Sequence, residues 1–175
     1  MKTRVSFLIR IKLIIFLSLF TINLFATHIV GGSMTYEYLR KDTFRINLYI
    51  YIDCQNGSPS AIRDDRIANI SYFDAVTNQF LENDQLTVLS EKNVSEVNYK
   101  CLKVPNACVK QFFFSYKKVI NPGKNGVIVS FQRCCRNNTV SNITNPSTTG
   151  ATFFVKIPPI STIEGNSSPE FKKLP

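Results

Sequence analysis

The chain has no tryptophan, a single histidine and only two methionines among its 175 residues. One histidine and no CxxC pair leave the ligand set of a structural zinc site incomplete. Beyond residue 26, no apolar run approaches the roughly 20 residues of a membrane-spanning helix. No segment of useful length there has apolar residues spaced with the period of a helix. The sequence therefore argues against a metal-stapled, helical or membrane-embedded protein.

The common hydrolase sites are also missing. His28 precedes the segment Ile29-Val30-Gly31-Gly32, which resembles the start of activated trypsin-like proteases. That site needs a histidine downstream and a Gly-Asp-Ser-Gly segment, and the chain has neither. With no nucleophile–base pair and no metal ligand set, we predict that the protein is not an enzyme, with no catalytic, cofactor-binding or metal-binding residues and no cofactor.

Residues 1–26 are organised as a secretory signal peptide. Four basic residues precede an apolar run over residues 13–25, and Ala26 offers a small residue for cleavage. We place the cut after Ala26 and expect a secreted or outer cell-surface protein with no stable membrane span after cleavage. An uncleaved N-terminal anchor is the alternative.

Removal of this leader changes the size and the charge. It leaves 149 residues, which is the length of one domain. The leader holds four of the 21 basic residues and none of the 12 acidic ones, so the formal charge falls from +9 to +5. The remaining basic residues are scattered and form no stripe with interleaved aromatics, so we predict no nucleic-acid partner.

Apolar and polar residues alternate through much of the chain, which is typical of half-buried strands. In residues 44–53, five apolar side chains occupy every second position. We predict an all-β fold over residues 27–160, an antiparallel Ig-like β-sandwich of about seven or eight strands preceded by the signal-peptide helix. Residues 34–53 and 109–135 form its centre, and residues 161–175 are a linker or frayed C-terminal tail. The expected strands are 34–39, 44–53, 68–73, 86–89, 94–104, 109–119, 127–133 and 151–157.

Five cysteines fit an oxidising compartment, in which disulfides are the default. Cys101 and Cys108 flank a turn-like segment and are expected to form a local bridge. Cys54 is expected to pair with Cys134 or Cys135. Because neighbours on a strand point to opposite faces, the other would face outward toward a cysteine outside this chain. The alternatives are a Cys134–Cys135 bridge, which departs from the usual Cα separation, and a zinc site, which lacks ligands.

Three segments carry a resemblance: THIVGGSMTY at 27–36, YIDCQNG at 51–57 and FQRCCRNNT at 131–139. Together they resemble the N-terminal domain of large secreted, adhesin-like surface proteins of gliding bacteria in the Bacteroidetes group. The resemblance covers nearly all of residues 27–160. It implies a non-catalytic structural or interaction module, followed in a longer protein by repeats and a sorting domain. The implied partners are other surface proteins, extracellular polysaccharide and those downstream domains, and it implies no binding residues.

A carbohydrate-binding module is the second hypothesis. Tyr49 and Tyr51 can stack on sugars beside long loops rich in Asn, Ser and Thr, although such tyrosines are often cross-strand pairs. Arg133 and Arg136 can grip an acidic group with guanidinium forks, or form local ion pairs of little energetic value. Calcium binding by Asp53, Asp64 and Asp65 is the weaker alternative to a solvated loop, because their spacing matches no calcium loop.

Overall fold

The computed structural model describes residues 28–94, 108–137, 140–159 and 165–169. The expected signal peptide, Cys101 and most of the strand expected at 94–104 lie outside these residues. No helix in the described part of the chain is long and apolar enough to cross a membrane. The elements within it are β1 (Ile29–Arg40), β2 (Thr43–Asp53), helix α1 (Pro59–Asp64), β3 (Ile67–Asp74), β4 (Phe80–Thr87), β5 (Ser90–Asn93), β6 (Val109–Val119), β7 (Val127–Arg133), a 3₁₀ helix (Pro146–Thr148) and β8 (Ala151–Ile157).

The strands form two antiparallel four-stranded sheets. The first has the order β1-β2-β6-β5 and the second has the order β4-β3-β7-β8. When the eight strands are lettered A, B, C, C′, D, E, F and G along the chain, these orders read ABED and C′CFG. That is the strand arrangement of an Ig-like sandwich, so the predicted fold class is confirmed. β2, β6 and β7 are inner strands as expected, whereas β1 lies at an edge of the first sheet.

The core lies between the inner faces of the two sheets. β2 contributes the five apolar residues whose alternation predicted it, and each of them is at most 1% exposed. Each such burial contributes about 1.5–3 kcal/mol before the entropy of ordering is set against it. The largest of the fully buried side chains are Phe44, Ile46, Leu48, Ile50, Ile52, Ile70, Tyr72, Phe112, Phe114 and Ile157.

The region after β3 differs from the prediction. A single strand was expected at 86–89, but β4 ends at Thr87 and β5 begins at Ser90. Most residues of both strands are exposed, so their sequences lack the apolar alternation that marks a buried face. Main-chain pairing with β3 and β6 holds them in place. The polar sequence over residues 53–66 predicts a loop, but this region contains α1, which has a proline in its first turn.

A polar bridge joins the two sheets near the Thr43 end of β2. The hydroxyl of Tyr72 donates to Asp84 Oδ2 at 2.8 Å and is hydrogen-bonded to the hydroxyl of Tyr116 on the opposite sheet. Lys118 Nζ lies 3.0 Å from Asp84 and over the ring of Tyr72. Burial raises the pKa of both tyrosines well above the ordinary value, so both hydroxyls keep their protons near neutral pH.

Two consecutive glycines in β1 have different surroundings. A Cβ atom on Gly32 would lie 2.7 Å from the main-chain oxygen of Tyr49 and 3.0 Å from Cζ of Phe153 in β8. A Cβ atom on Gly31 would meet nothing within 4 Å. The bare backbone at Gly32 therefore allows β1 to pass close to the second sheet.

We expect Gly32→Ala to lower the free energy of unfolding by about 1–3 kcal/mol, because the methyl group would overlap main chain that cannot move away cheaply. Gly31→Ala is the matched control. It should change stability by less than about 1 kcal/mol, with a small gain from reduced freedom of the unfolded chain. Urea unfolding of the oxidised protein measures both, and equal effects would contradict this packing.

Candidate functional site

Side chains from the three motif segments meet at one end of the sandwich. The antiparallel sheets place the start of β1 beside the end of β2, and place the start of β3 near the end of β7. The loops beyond these strand ends therefore share one region. We call the group formed there the polar cluster, and its members are His28, Asp53, Asn56, Asp65, Arg133 and Asn137.

His28, Asp65 and Arg133 form a chain of contacts at the centre of the polar cluster. His28 is completely buried, and its Nε2 is hydrogen-bonded to Asp65, which is 2% exposed. The other carboxylate oxygen of Asp65 lies 2.7 Å from Nε of Arg133. A buried carboxylate is costly unless it is paired, and here it is paired on both sides. Neither Nδ1 of His28 nor Nε of Arg133 makes a hydrogen bond among the described residues, so the contact between Arg133 and Asp65 is an ion pair without hydrogen-bond geometry.

Asp53 connects the loop after β2 with the segment after β7. Its carboxylate accepts hydrogen bonds from the main-chain amides of Gln55 and Asn56 at 2.9 Å, and from the side-chain amides of Asn56 and Asn137 at 2.9 and 2.8 Å. Burial alone would raise the pKa of Asp53, but these donors outweigh it and hold the pKa below its ordinary value. Asp53 therefore stays ionised and fastens the two segments.

Gly57, the last residue of YIDCQNG, is explained by packing. A Cβ atom there would lie 2.6 Å from Cβ of His28 and would overlap the main-chain oxygen of Asp53. The amide of Asp53 also donates to the main-chain oxygen of His28 at 2.7 Å. The segments around residues 28 and 53–57 are thus fitted directly to each other.

The expected pairing of Cys108 is wrong. Cys108 is bridged to Cys54 rather than Cys101, with a Cα–Cα distance of 5.1 Å. The register of the first sheet explains this, because Asp53 pairs with Val109 and the next residues outward are Cys54 and Cys108. The amide of Cys54 donates to the oxygen of Cys108 at 2.9 Å. The bridge lies within one sheet, and the expected link from Cys54 to the end of β7 is not formed.

Cys134 and Cys135 are bridged to each other, which corrects the prediction that one of them faces a cysteine outside this chain. The prediction assumed that both residues continue a strand and point to opposite faces. β7 ends at Arg133, so the rule of alternating faces does not hold beyond it. Cys135 has a φ of 114°, which is far from an extended strand.

The two candidate arginines have partners within the domain. Arg133 contacts Asp65, and Nε of Arg136 donates to the main-chain oxygen of Gly150 at 3.1 Å. The acidic grouping proposed for calcium is divided in the same way, because Asp53 and Asp65 have separate partners and Asp64 is exposed. No three or more His, Cys, Asp or Glu side chains among the described residues are placed to hold a metal ion.

Tyr49 and Tyr51 line a cleft of about 680 Å³ on the outer face of the first sheet. Their neighbours across the strand pair on β1 are Ser33 and Gly31, whose small size leaves open space beside the two rings. The opposite wall is formed by residues 167–169. We call this cleft the tyrosine trough, and its lining residues are Ser33, Thr35, Tyr36, Glu37, Asn47, Tyr49, Tyr51, Ser167, Ser168 and Pro169.

Residues 165–169 were expected to belong to a linker or frayed tail, but part of this segment packs along β1. The hydroxyl of Ser168 accepts from the amide of Tyr36 at 3.0 Å, and the hydroxyl of Ser167 accepts from the amide of Tyr38 at 2.9 Å. The amide of Ser168 donates to the oxygen of Tyr36 at 2.8 Å. The segment therefore forms a fixed wall of the trough.

No protein-family model, no curated protein and no solved structure matches this chain. The resemblance to adhesin-like surface proteins stays a prediction. Sequence reasoning missed that Asp65 and Asn137 join the polar cluster and that residues 167–169 form a wall. Both depend on contacts between residues more than 30 positions apart in the chain.

A peptide map of the oxidised protein should contain Cys54 linked to Cys108. The bridge closes a loop of 54 residues, so replacing both cysteines with serine should lower the free energy of unfolding by about 4 kcal/mol in the chain-entropy estimate. Mass spectrometry of a non-reduced digest tests the pairing directly. A Cys101–Cys108 peptide would contradict it.

We expect Asp65→Asn to lower the free energy of unfolding by about 1–2 kcal/mol, because it removes the buried carboxylate charge that contacts Arg133, whose side chain is 36% exposed and can be partly hydrated instead. Asp64→Asn, the adjacent exposed aspartate, is the matched control and should change stability by less than about 0.5 kcal/mol. Thermal or urea unfolding of both variants measures the difference. Equal losses of stability in the two variants would show that the contact between Asp65 and Arg133 is dispensable.

Proposed function

We propose that this chain is a non-catalytic, exported interaction module, similar to the N-terminal domain of adhesin-like, gliding-associated surface proteins of Bacteroidetes. The observation that carries the proposal is the meeting of the three motif segments in one buried, disulfide-flanked polar cluster. The segments contribute His28, Asp53, Arg133 and Asn137, whose contacts join the strand ends to one another and to Asp65. A rigid scaffold that presents its outer faces to a partner is the role that such an arrangement supports.

A non-catalytic role is supported by the state of the chemically active groups. The single histidine of the chain is completely buried against Asp65, so a substrate has no access to its imidazole. Asp53 accepts four hydrogen bonds and stays ionised. Neither group has the exposure to a substrate that a general base requires.

Export is supported by the two disulfides together with the leader-like residues 1–26. Disulfides form and persist in oxidising compartments and are rare in the cytosol. The bridge between Cys54 and Cys108 lies at the same end of the domain as the polar cluster. Oxidation therefore stabilises the folded state at that end.

Export can be tested by expressing the full chain in a Gram-negative host. We expect the protein in the periplasm, beginning at Thr27 and with Cys54 linked to Cys108, as measured by fractionation and mass spectrometry. Leu17→Arg interrupts the apolar run and is the control, which should keep the chain in the cytoplasm with its leader intact. Unmodified chain carrying its leader and reduced thiols in the cytoplasm would refute export.

The interaction role has a separate test in the same preparation. The exported, oxidised protein on an optical sensor should retain intact cells of a gliding Bacteroidetes strain, while the same protein reduced, alkylated and unfolded should not. The difference between the folded and the unfolded protein measures the binding that depends on the folded outer faces. Equal retention by both surfaces, or by neither, would count against an interaction module.

A carbohydrate-binding module is the second candidate function, and the tyrosine trough is the observation that favours it. Tyr49 and Tyr51 stand beside small residues in a cleft whose volume lies within the range of ligand sites. A sandwich that holds sugars in this trough would be one form of the interaction module proposed above.

A further inference from the structure

The tyrosine trough exposes one flat aromatic surface. Tyr49 has Phe113 as its neighbour on β6, with ring centroids 4.7 Å apart and an angle of 25° between the rings. Phe113 thus covers one face of the Tyr49 ring. The other face is turned toward β1, where the neighbour is Ser33, and that side is the open space of the trough.

The polar groups around this surface keep unused hydrogen-bonding capacity. Ser167 and Ser168 each accept a main-chain amide, so each hydroxyl still has a proton to donate. Asn47 uses its side-chain oxygen to accept from Ser115 at 2.7 Å, which leaves its amide N–H groups for a ligand. Tyr51 accepts from Gln111 at 3.0 Å, which orients its hydroxyl and leaves the proton of that hydroxyl for donation.

The described residues that line the trough carry little charge. Among its lining residues, Glu37 is the only one that is charged at neutral pH, and its carboxylate is paired with Arg45 at 2.5 Å. Among the described lining residues, a strongly anionic ligand would meet no cationic side chain, and a cationic ligand would have to compete with Arg45 for Glu37. The chemistry favours a neutral ligand with one apolar face and many hydroxyl groups.

We propose that the tyrosine trough binds a neutral oligosaccharide. The apolar C–H face of a sugar ring packs on the open face of Tyr49, and sugar hydroxyls accept from Asn47, Ser167 and Ser168. The proposal rests on the interaction module proposed above and names its ligand class. In this proposal, residues 167–169 are part of the binding site rather than of a linker.

Calorimetric titration of the exported, oxidised protein tests this with soluble hexasaccharides of β-1,4-glucose, α-1,4-glucose, β-1,3-glucose, mannose and N-acetylglucosamine. We expect at least one of them to bind with a Kd below about 1 mM. Tyr49→Ala should weaken that binding by about tenfold or more, since it removes the aromatic surface. A rise in salt from about 0.05 to about 0.5 M should leave the Kd unchanged, because no charge is involved.

Two further variants separate the site from the fold. Ser33→Trp fills the trough from the outer face of β1 without entering the core, and should weaken binding as much as Tyr49→Ala. Phe154→Ala removes an aromatic ring that is 59% exposed on the second sheet and should leave binding unchanged. Circular dichroism and melting temperature check that each variant is folded.

The outcomes distinguish this proposal from the one it rests on. Retention of cells without binding of any neutral hexasaccharide overturns the ligand class and leaves the interaction module intact. Loss of both overturns the two together. Saccharide binding that survives both Tyr49→Ala and Ser33→Trp places the site elsewhere, and salt-sensitive binding of an oligogalacturonate alone refutes a neutral ligand.

Discussion

β2 and β6 pair in one uninterrupted antiparallel register, from Thr43 opposite Val119 to Asp53 opposite Val109. On the inner face this register brings together the apolar side chains of the core. On the outer face it sets Tyr49 beside Phe113, and one step beyond its last pair it brings Cys54 to Cys108. A slip of one residue would exchange the two faces. The core, the stacking of Tyr49 on Phe113 and the disulfide would then be lost together.

The polar cluster depends on the same frame but contributes something different. Buried ion pairs and hydrogen-bonded carboxylates add little net stability compared with apolar packing, yet removal of one partner is costly. Asp53 and Asp65 each bind partners from distant parts of the chain. Wrong arrangements of the loops would leave these carboxylates buried without partners. Apolar packing alone would leave the arrangement of these loops loosely defined. The polar cluster therefore selects one arrangement of the loops.

The parts of the fold that were predictable from sequence are those with a buried face. β6, β7 and β8 have the bounds expected from alternation, because one face of each strand meets the core. β4 and β5 escaped prediction because exposed edge strands carry mixed polar residues on both faces. The disulfide partner of Cys54 required a register, which alternation does not supply. The trough could be anticipated only through Tyr49 and Tyr51, since its other wall comes from a segment more than a hundred residues away.

The segment beside β1 has a consequence for how copies of this domain behave when crowded. An edge strand normally offers unpaired amides and carbonyls that recruit strands from other molecules. Ser167 and Ser168 occupy those positions at Tyr36 and Tyr38 with hydroxyl groups and one main-chain amide. The serines end the ladder, because a hydroxyl satisfies an amide without presenting a new row of donors. At Tyr36 and Tyr38, densely packed copies would therefore be protected from pairing with a strand of another molecule.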